Sequence, residues 1–346
     1  MRGADHPGSS DALSGRPKAS EDDRMPASTN ADPEVVADAA AERAASPWLG
    51  YALAAGGAIF FSSKGILIKF AYAEGVDPET LLALRMGLSV PVYVAIGLAS
   101  VARSGTPAGL DRNVFGAAFA IGLLGYWFAS YVDFLGLAYI SAPFERLILF
   151  TYPLFTVLLG AAFFGQPFRL KALAAFGVSY AGLALVFTKD MQIAGLASAR
   201  AGSLLVLASA VAFALYQLLA KGYIGRIGPK LFTCIAMSAA ALGALIQFVL
   251  VRDVGVIAGL SGKVWLIAAL IALIGTILPS FLLSAALHRI SAQANAAIGT
   301  VSPVATLVFA AAFLGERVTS VDVIGTALVL AGVGWFTLSE QRRRGR

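Results

Sequence analysis

Five ionisable side chains interrupt otherwise apolar stretches of the sequence: Lys64, Arg85, Asp133, Glu145 and Arg146. Charges embedded in aliphatic and aromatic sequence are costly, so such residues are kept for pairing, ligand contact or proton handling. At a helical rise of about 1.5 Å per residue, Lys64 falls about 12 Å below one end of its segment, Arg85 about 10 Å, Asp133 about 7 Å and Glu145 about 5 Å. These four therefore share a layer in which opposite signs neutralise one another. Residues three and four apart lie on one helix face, and the layer extends along such faces. Arg85, Ser89 and Tyr93 form one stripe; Tyr126, Ser130 and Asp133 a second; Glu145, Tyr152 and Thr156 a third. Further along, Thr276, Ser280 and Ser284 form another, as do Asn295, Gly299, Ser302 and Thr306. Stripes of this kind fit a central polar cavity rather than lipid. The candidate ligand-contacting set is Lys64, Arg85, Tyr93, Tyr126, Asp133, Glu145, Tyr152, Tyr216 and Asn295. Both signs of charge suit a zwitterion, and the tyrosine rings suit an apolar side chain. Arg146, about 100° around the helix from Glu145, and Lys69 are read as snorkelling toward the membrane surface.

The elements that must position these groups are transmembrane helices. Hydrophobic residues make up 58% of the 346 and charged residues 13%, against roughly 25% charged in a soluble domain; the mean hydropathy is +0.78. Apolar stretches at 49–72, 78–100, 114–138, 142–164, 170–188, 202–221, 231–251, 263–287, 292–314 and 320–338 approach or reach the roughly 17–25 residues that a helical span needs. Backbone groups in lipid must be satisfied within the segment, so helices are the spanning element. The fold class is therefore all-α and polytopic, with ten transmembrane helices. Pro91, Pro153, Pro279 and Pro303 are read as kinks, and Gly122 and Gly125 as close helix packing.

Residues 1–46 are polar and poor in large apolar side chains, which predicts a disordered tail. An early apolar run typical of a signal peptide is missing from that stretch. Lys and Arg gather in alternate connectors and in the tail at 340–346, placing both termini in the cytoplasm of a bacterial inner-membrane protein. One cysteine, Cys234, and two histidines, His6 and His288, give no metal-site spacing, and the sequence carries no nucleophile motif or phosphate loop. The expectation is a non-enzyme without cofactor or metal. Its net charge of +6 is spread over connectors, which argues against a nucleic-acid partner. Its partners are the lipid bilayer and a small molecule. Glu145 and Asp133 could titrate on desolvation, which would permit proton coupling; facilitated diffusion fits equally.

The chain also resembles itself at an offset of 150. Leu137, Ile140, Ser141 and Ala142 match Leu287, Ile290, Ser291 and Ala292; Pro153 and Thr156 match Pro303 and Thr306; Gly165 matches Gly315; Ala181 and Gly182 match Ala331 and Gly332. Two repeats, 47–190 and 191–339, would each hold five helices. An odd number enters the membrane in opposite senses, giving a 5+5 inverted repeat with the ligand near the midplane. Together with Pro153, Pro303 and the Gly315-Glu316-Arg317 sequence closing the ninth helix, this arrangement resembles the EamA-like family of the drug/metabolite transporter superfamily. The first half departs from that pattern at Gly165-Gln166-Pro167. The resemblance implies a transporter of small organic metabolites, often an exporter. Amino-acid-like or amphipathic compounds are the expected substrates. An antiporter of phosphorylated or nucleotide-linked sugars, using Lys64 and Arg85, is the alternative, and a membrane-embedded lipid enzyme a remote one.

Overall fold

In a computed structural model, residues 47–107, 109–165, 170–287, 298–299 and 301–344 are described, and these carry helices and turns without a strand. Helix α1 spans Pro47–Ala73 and α2 spans Pro78–Ser104. Helix α3 spans Arg112–Leu137 and α4 spans Ala142–Phe163. Helix α5 is Leu170–Ala194, α6 is Leu196–Ile227 and α7 is Pro229–Val251. Helix α8 covers 262–287, α9 is Val301–Leu314 and α10 is Ser320–Arg344. Among the described residues, α1, α2, α3, α4, α6, α7 and α8 are long and apolar enough to cross a membrane. Sequence reading placed the sixth helix at 202–221; the structure extends it by about a turn and a half at each end. The predicted tail at 1–46 lies outside the described residues.

Three interruptions shape the interior, beside a further π turn at Ala310–Leu314 that ends α9. Helix α3 passes through a π turn at Leu123–Phe128, and α8 passes through one at Leu273–Ile277. Wide turns of this kind commonly mark functional sites within helices. Helix α4 breaks at Phe150 and Thr151, between Ala142–Leu149 and Tyr152–Phe163. Pro153 stands just past that break, where its missing N–H costs least. Pro279 follows the α8 π turn. Helix α2, by contrast, continues through Pro91 without a break.

Helix packing follows a two-way exchange. Helix α1 packs on α8 and α9, while α6 packs on α3 and α4. Helix α2 packs on α7, and α5 on α10. Exchanging each helix for the one five places along maps this pattern onto itself. Along the α5–α10 seam, the Ser179 hydroxyl donates to the Val329 carbonyl at 3.5 Å, and those residues are 150 apart. Gly182 and Gly332 allow the seam to close, because a Cβ at either would collide with the opposite backbone. Gly165 and Gly315, also 150 apart, both adopt positive φ, 63° and 68°; each follows the end of α4 or α9, where an L side chain would be strained.

Candidate functional site

Helices α1, α2, α3, α4 and α8 bring the charged layer together. Lys64, Arg85, Asp133, Glu145 and Arg146 are each no more than 5% exposed, so the layer is shut off from solvent. Lys64 Nζ pairs with Asp133 Oδ2 at 2.8 Å. The ammonium lies 5.6 Å from the centre of the Phe61 ring and 5.9 Å from that of Phe134. Arg85 also lies against Phe134, its Cζ 5.3 Å from the ring centre. Arg85 Nε donates to Thr276 Oγ1 at 3.0 Å, and Thr276 belongs to the α8 π turn. That hydroxyl in turn donates to the Ile271 carbonyl, five residues back, one of the acceptors a π turn leaves displaced. One terminal nitrogen of Arg85, Nη1, is buried without a hydrogen-bond partner.

Two tyrosine groups extend from this centre. Tyr93 shares a hydrogen bond with Ser280 Oγ at 3.1 Å, joining α2 to α8. Tyr216 donates to the Tyr126 hydroxyl at 3.1 Å, joining α6 to the α3 π turn. Tyr93, Tyr126 and Asp133 all lie within electrostatic reach of Arg85. The aromatic wall continues from Tyr216 through Phe213, stacked at 5.6 Å, to Tyr152, edge-on at 5.1 Å. Seven of the nine residues expected at the site thus fall into the charged centre and the two tyrosine groups, with Glu145 set beside them. Asn295 lies outside the described residues.

Glu145 occupies the first turn of α4 and is fully buried. Asp190 of α5 fixes that helix start by accepting from the Ser141 amide and hydroxyl, both at 2.8 Å. Ser141 caps the helix through the Phe144 amide. The Glu145 carboxyl faces the backbone of α1 at Gly65, where an added Cβ would lie 3.4 Å from Oε2. Arg146 Nε stands 4.0 Å from Oε2, too far for a hydrogen bond.

Two expectations are corrected. Arg146 does not snorkel: it is 4% exposed, donates to the Phe61 carbonyl at 3.2 Å and lies over the Phe61 ring. The α1 carbonyl and ring give its guanidinium an internal partner, which removes the need to reach the surface. Ser302 and Thr306 do not face a cavity. Ser62 donates to Ser302 Oγ at 2.8 Å, and Thr306 donates to the Ser62 carbonyl at 3.4 Å, so their hydroxyls fasten α9 to α1. Lys69 is half-buried, with the acidic residues Glu316, Asp190 and Glu145 in electrostatic reach.

Sequence reasoning missed the π turns. A signal was available: Leu123-Leu-Gly125 and Leu273-Ile-Gly275 fall 150 apart. Gly125 admits Tyr216 of α6, and Gly275 admits Lys64 of α1. Matched glycines thus receive a lysine in one half and a tyrosine in the other.

Comparisons with known proteins agree with the duplication. The pattern of the EamA-like transporter family matches residues 48–188 and again 200–338. A Bacillus subtilis (strain 168) protein, "Uncharacterized transporter YcbK", is 29% identical over 277 residues, 78% of this chain and 86% of that protein. A second from the same organism, "Uncharacterized transporter YyaM", is 22% identical over 284 residues, 82% of this chain and 92% of that protein. One solved crystal structure shares the fold with a TM-score of 0.57 at 17% identity, covering 85% of this chain and 98% of its own.

Proposed function

From the premise that this chain belongs to the EamA-like transporter family and is a multi-pass membrane protein, we propose that it exports amino-acid-like or amphipathic metabolites by alternating access. The reading takes the chain as ten spans in a 5+5 inverted repeat with both termini cytoplasmic. The exchange of helix contacts described above supports the repeat, and the Lys/Arg bias of the connectors supports the orientation. The observation that carries the substrate class is the buried Arg85 guanidinium, which keeps Nη1 free while Thr276 holds Nε. A preorganised guanidinium of this kind suits a carboxylate. Tyr93, Tyr126, Tyr216 and Tyr152 then supply an aromatic wall for an apolar substituent, and Glu145 an acidic pole for an ammonium. Lys64 and Asp133 neutralise each other beside it.

The test is a thermal-shift screen of purified protein against amino acids, phosphate esters and cationic drugs, followed by uptake and counterflow in liposomes. Amino acids with large apolar side chains are expected to stabilise the protein and exchange across the bilayer. Arg85→Ala and Glu145→Gln should each lower counterflow at least tenfold while folded protein is recovered. Stabilisation by phosphate esters alone would replace this reading with the sugar-phosphate one. Normal counterflow by Glu145→Gln would remove Glu145 from the site.

A further inference from the structure

The buried carboxyls divide sharply by partner. Asp133 pairs with Lys64. Glu79 accepts from Tyr131 at 3.2 Å and from Arg252 at 3.0 Å. Asp190 holds the Ser141 amide and hydroxyl, and Asp322 pairs with Lys189 at 2.5 Å. Glu145 alone among the buried described carboxyls accepts from no donor at either oxygen, though it is 0% exposed; it lies within hydrogen-bonding reach of the Asp133 carboxyl, where a bond requires a proton on one of the two. An ionised carboxylate in that position would forfeit its hydration for the Arg146 charge at 4.0 Å alone, with no hydrogen bond in exchange, which costs more than burying the neutral acid.

Its surroundings contain the means to hold or release a proton. On α3, Asp133 is the charged neighbour, and on α1 it is Lys64, with Lys69 and Tyr72 further along. On α4 itself it is Arg146. Helix α5 contributes Asp190, engaged with Ser141, and Lys189, engaged with Asp322 of α10. Helix α6 carries Arg200, which is exposed, and Tyr216, which is bonded to Tyr126, and the packed face of α9 brings the hydroxyls of Ser302 and Thr306. Lys64 already has a carboxylate, and Arg146 gives one terminal nitrogen to the Phe61 carbonyl while its Nε, without a hydrogen-bond partner, stands 4.0 Å from Glu145 Oε2. A negative charge on Glu145 would compete with Asp133 for Lys64, whose neighbour Gly65 is the point where the Glu145 carboxyl touches α1. The start of α4 favours that charge modestly, so ionisation is accessible once the ammonium turns.

We propose that Glu145 is the proton-binding carboxyl of this protein, protonated while Lys64 is paired with Asp133 and deprotonated when Lys64 turns toward it or when a substrate ammonium takes the proton's place. One group that accepts either a proton or an ammonium, but not both, couples the export of an amine-bearing substrate to proton entry. The coupling role deepens the transport reading and rests on it; proton binding itself does not.

The experiment is infrared difference spectroscopy on the purified protein in lipid, without substrate, titrated from about pH 5 to about pH 9. A carbonyl band from a protonated buried carboxyl is expected to disappear on alkalinisation. It should shift when the protein carries heavy-carbon glutamate, stay put with heavy-carbon aspartate, and be absent from Glu145→Gln. The isotope arm needs no substitution and separates the glutamates from the aspartates; Glu79→Gln, which leaves Glu145 in place, should keep the band even where Glu145→Gln does not fold. A wild-type protein with no such band, a band that moves with labelled aspartate, or one that survives in folded Glu145→Gln would overturn the proposal. None of these outcomes depends on finding a substrate, so failure here is distinct from failure of the transport assay.

Discussion

The two halves of the molecule share a backbone plan and differ in charge. Each has a π turn that begins at matched positions, Leu123 and Leu273, and a glycine within it that admits the helix opening the other half. Each closes its fourth helix on a left-handed glycine. Yet all five buried charges of the central layer, Lys64, Arg85, Asp133, Glu145 and Arg146, belong to the first half. The second half meets Arg85 with the Thr276 hydroxyl and, beside it, Tyr93 with that of Ser280. Duplication therefore kept what backbone packing requires, while the side chains facing the centre diverged. One half carries charge, and the other orients it with neutral donors and acceptors.

The sharpest way to break that comparison is to make the first half copy the second at Asp133, whose counterpart 150 residues on is Leu283. Asp133→Leu strands the Lys64 ammonium in the interior. Removing one member of a buried pair costs about 3–5 kcal/mol. Adding Lys64→Met should return most of that loss, since replacing both partners with apolar groups is often close to neutral. Chemical denaturation of the detergent-purified protein reads both. A single variant as stable as wild type would mean that the pair at 2.8 Å contributes nothing to folding.

Much of this architecture was legible in the sequence, because lipid leaves few alternatives. Apolar length identified the seven described helices long enough to span, and the offset of 150 identified the repeat that the family pattern matches twice. The burial of Lys64, Arg85, Asp133 and Glu145 followed from their shared depth. What escaped was pairing and direction. Periodicity places Arg146 on a different face from Glu145, but it cannot say that the Phe61 carbonyl waits there. Nor can it say that Ser302 and Thr306 spend their hydroxyls on Ser62. Helical spacing of 3.6 residues also fails through a π turn, which is why Tyr126 and Thr276 were placed on regular faces rather than at wide turns.

A smaller effect tests how far the halves remain interchangeable at their matched glycines. A Cβ on Gly125 would fall on the Tyr216 side chain, whose Cβ would be only 2.6 Å away. On Gly275 it would come 3.3 Å from Lys64 Cβ, a contact that a small shift relieves. Gly125→Ala should therefore cost about 1–3 kcal/mol by overpacking, and Gly275→Ala less. Denaturation midpoints compare the two directly. Equal losses would show that both π turns are packed alike and that the difference between lysine and tyrosine is immaterial to the backbone.

The smallest expected effect concerns the entry to the second helix of each half. Helices α2 and α7 both begin at a proline, Pro78 and Pro229. Helix α7 follows Gly228, at φ 80° and with no side-chain cap, whereas α2 is capped by Asp77, which accepts from the Thr80 amide at 2.9 Å and hydroxyl at 2.7 Å. Asp77 also faces Arg252 at 3.3 Å. Partial burial pushes its carboxyl up, but the Thr80 bonds and the Arg252 charge outweigh that and hold it below the usual carboxylate range. The folded value thus lies below the unfolded one of about 3.9. The cap's stabilisation is complete well above that value and is lost as pH falls through the folded value, where protonation removes the acceptor. Asp77→Ala should cost about 0.5–2 kcal/mol at neutral pH, and Asp77→Gly, which copies the second half, only a few tenths. The wild-type advantage over Asp77→Ala should shrink as the buffer is taken below about pH 4. An advantage that stays constant down to full protonation would assign the effect to backbone freedom at residue 77 rather than to the carboxylate.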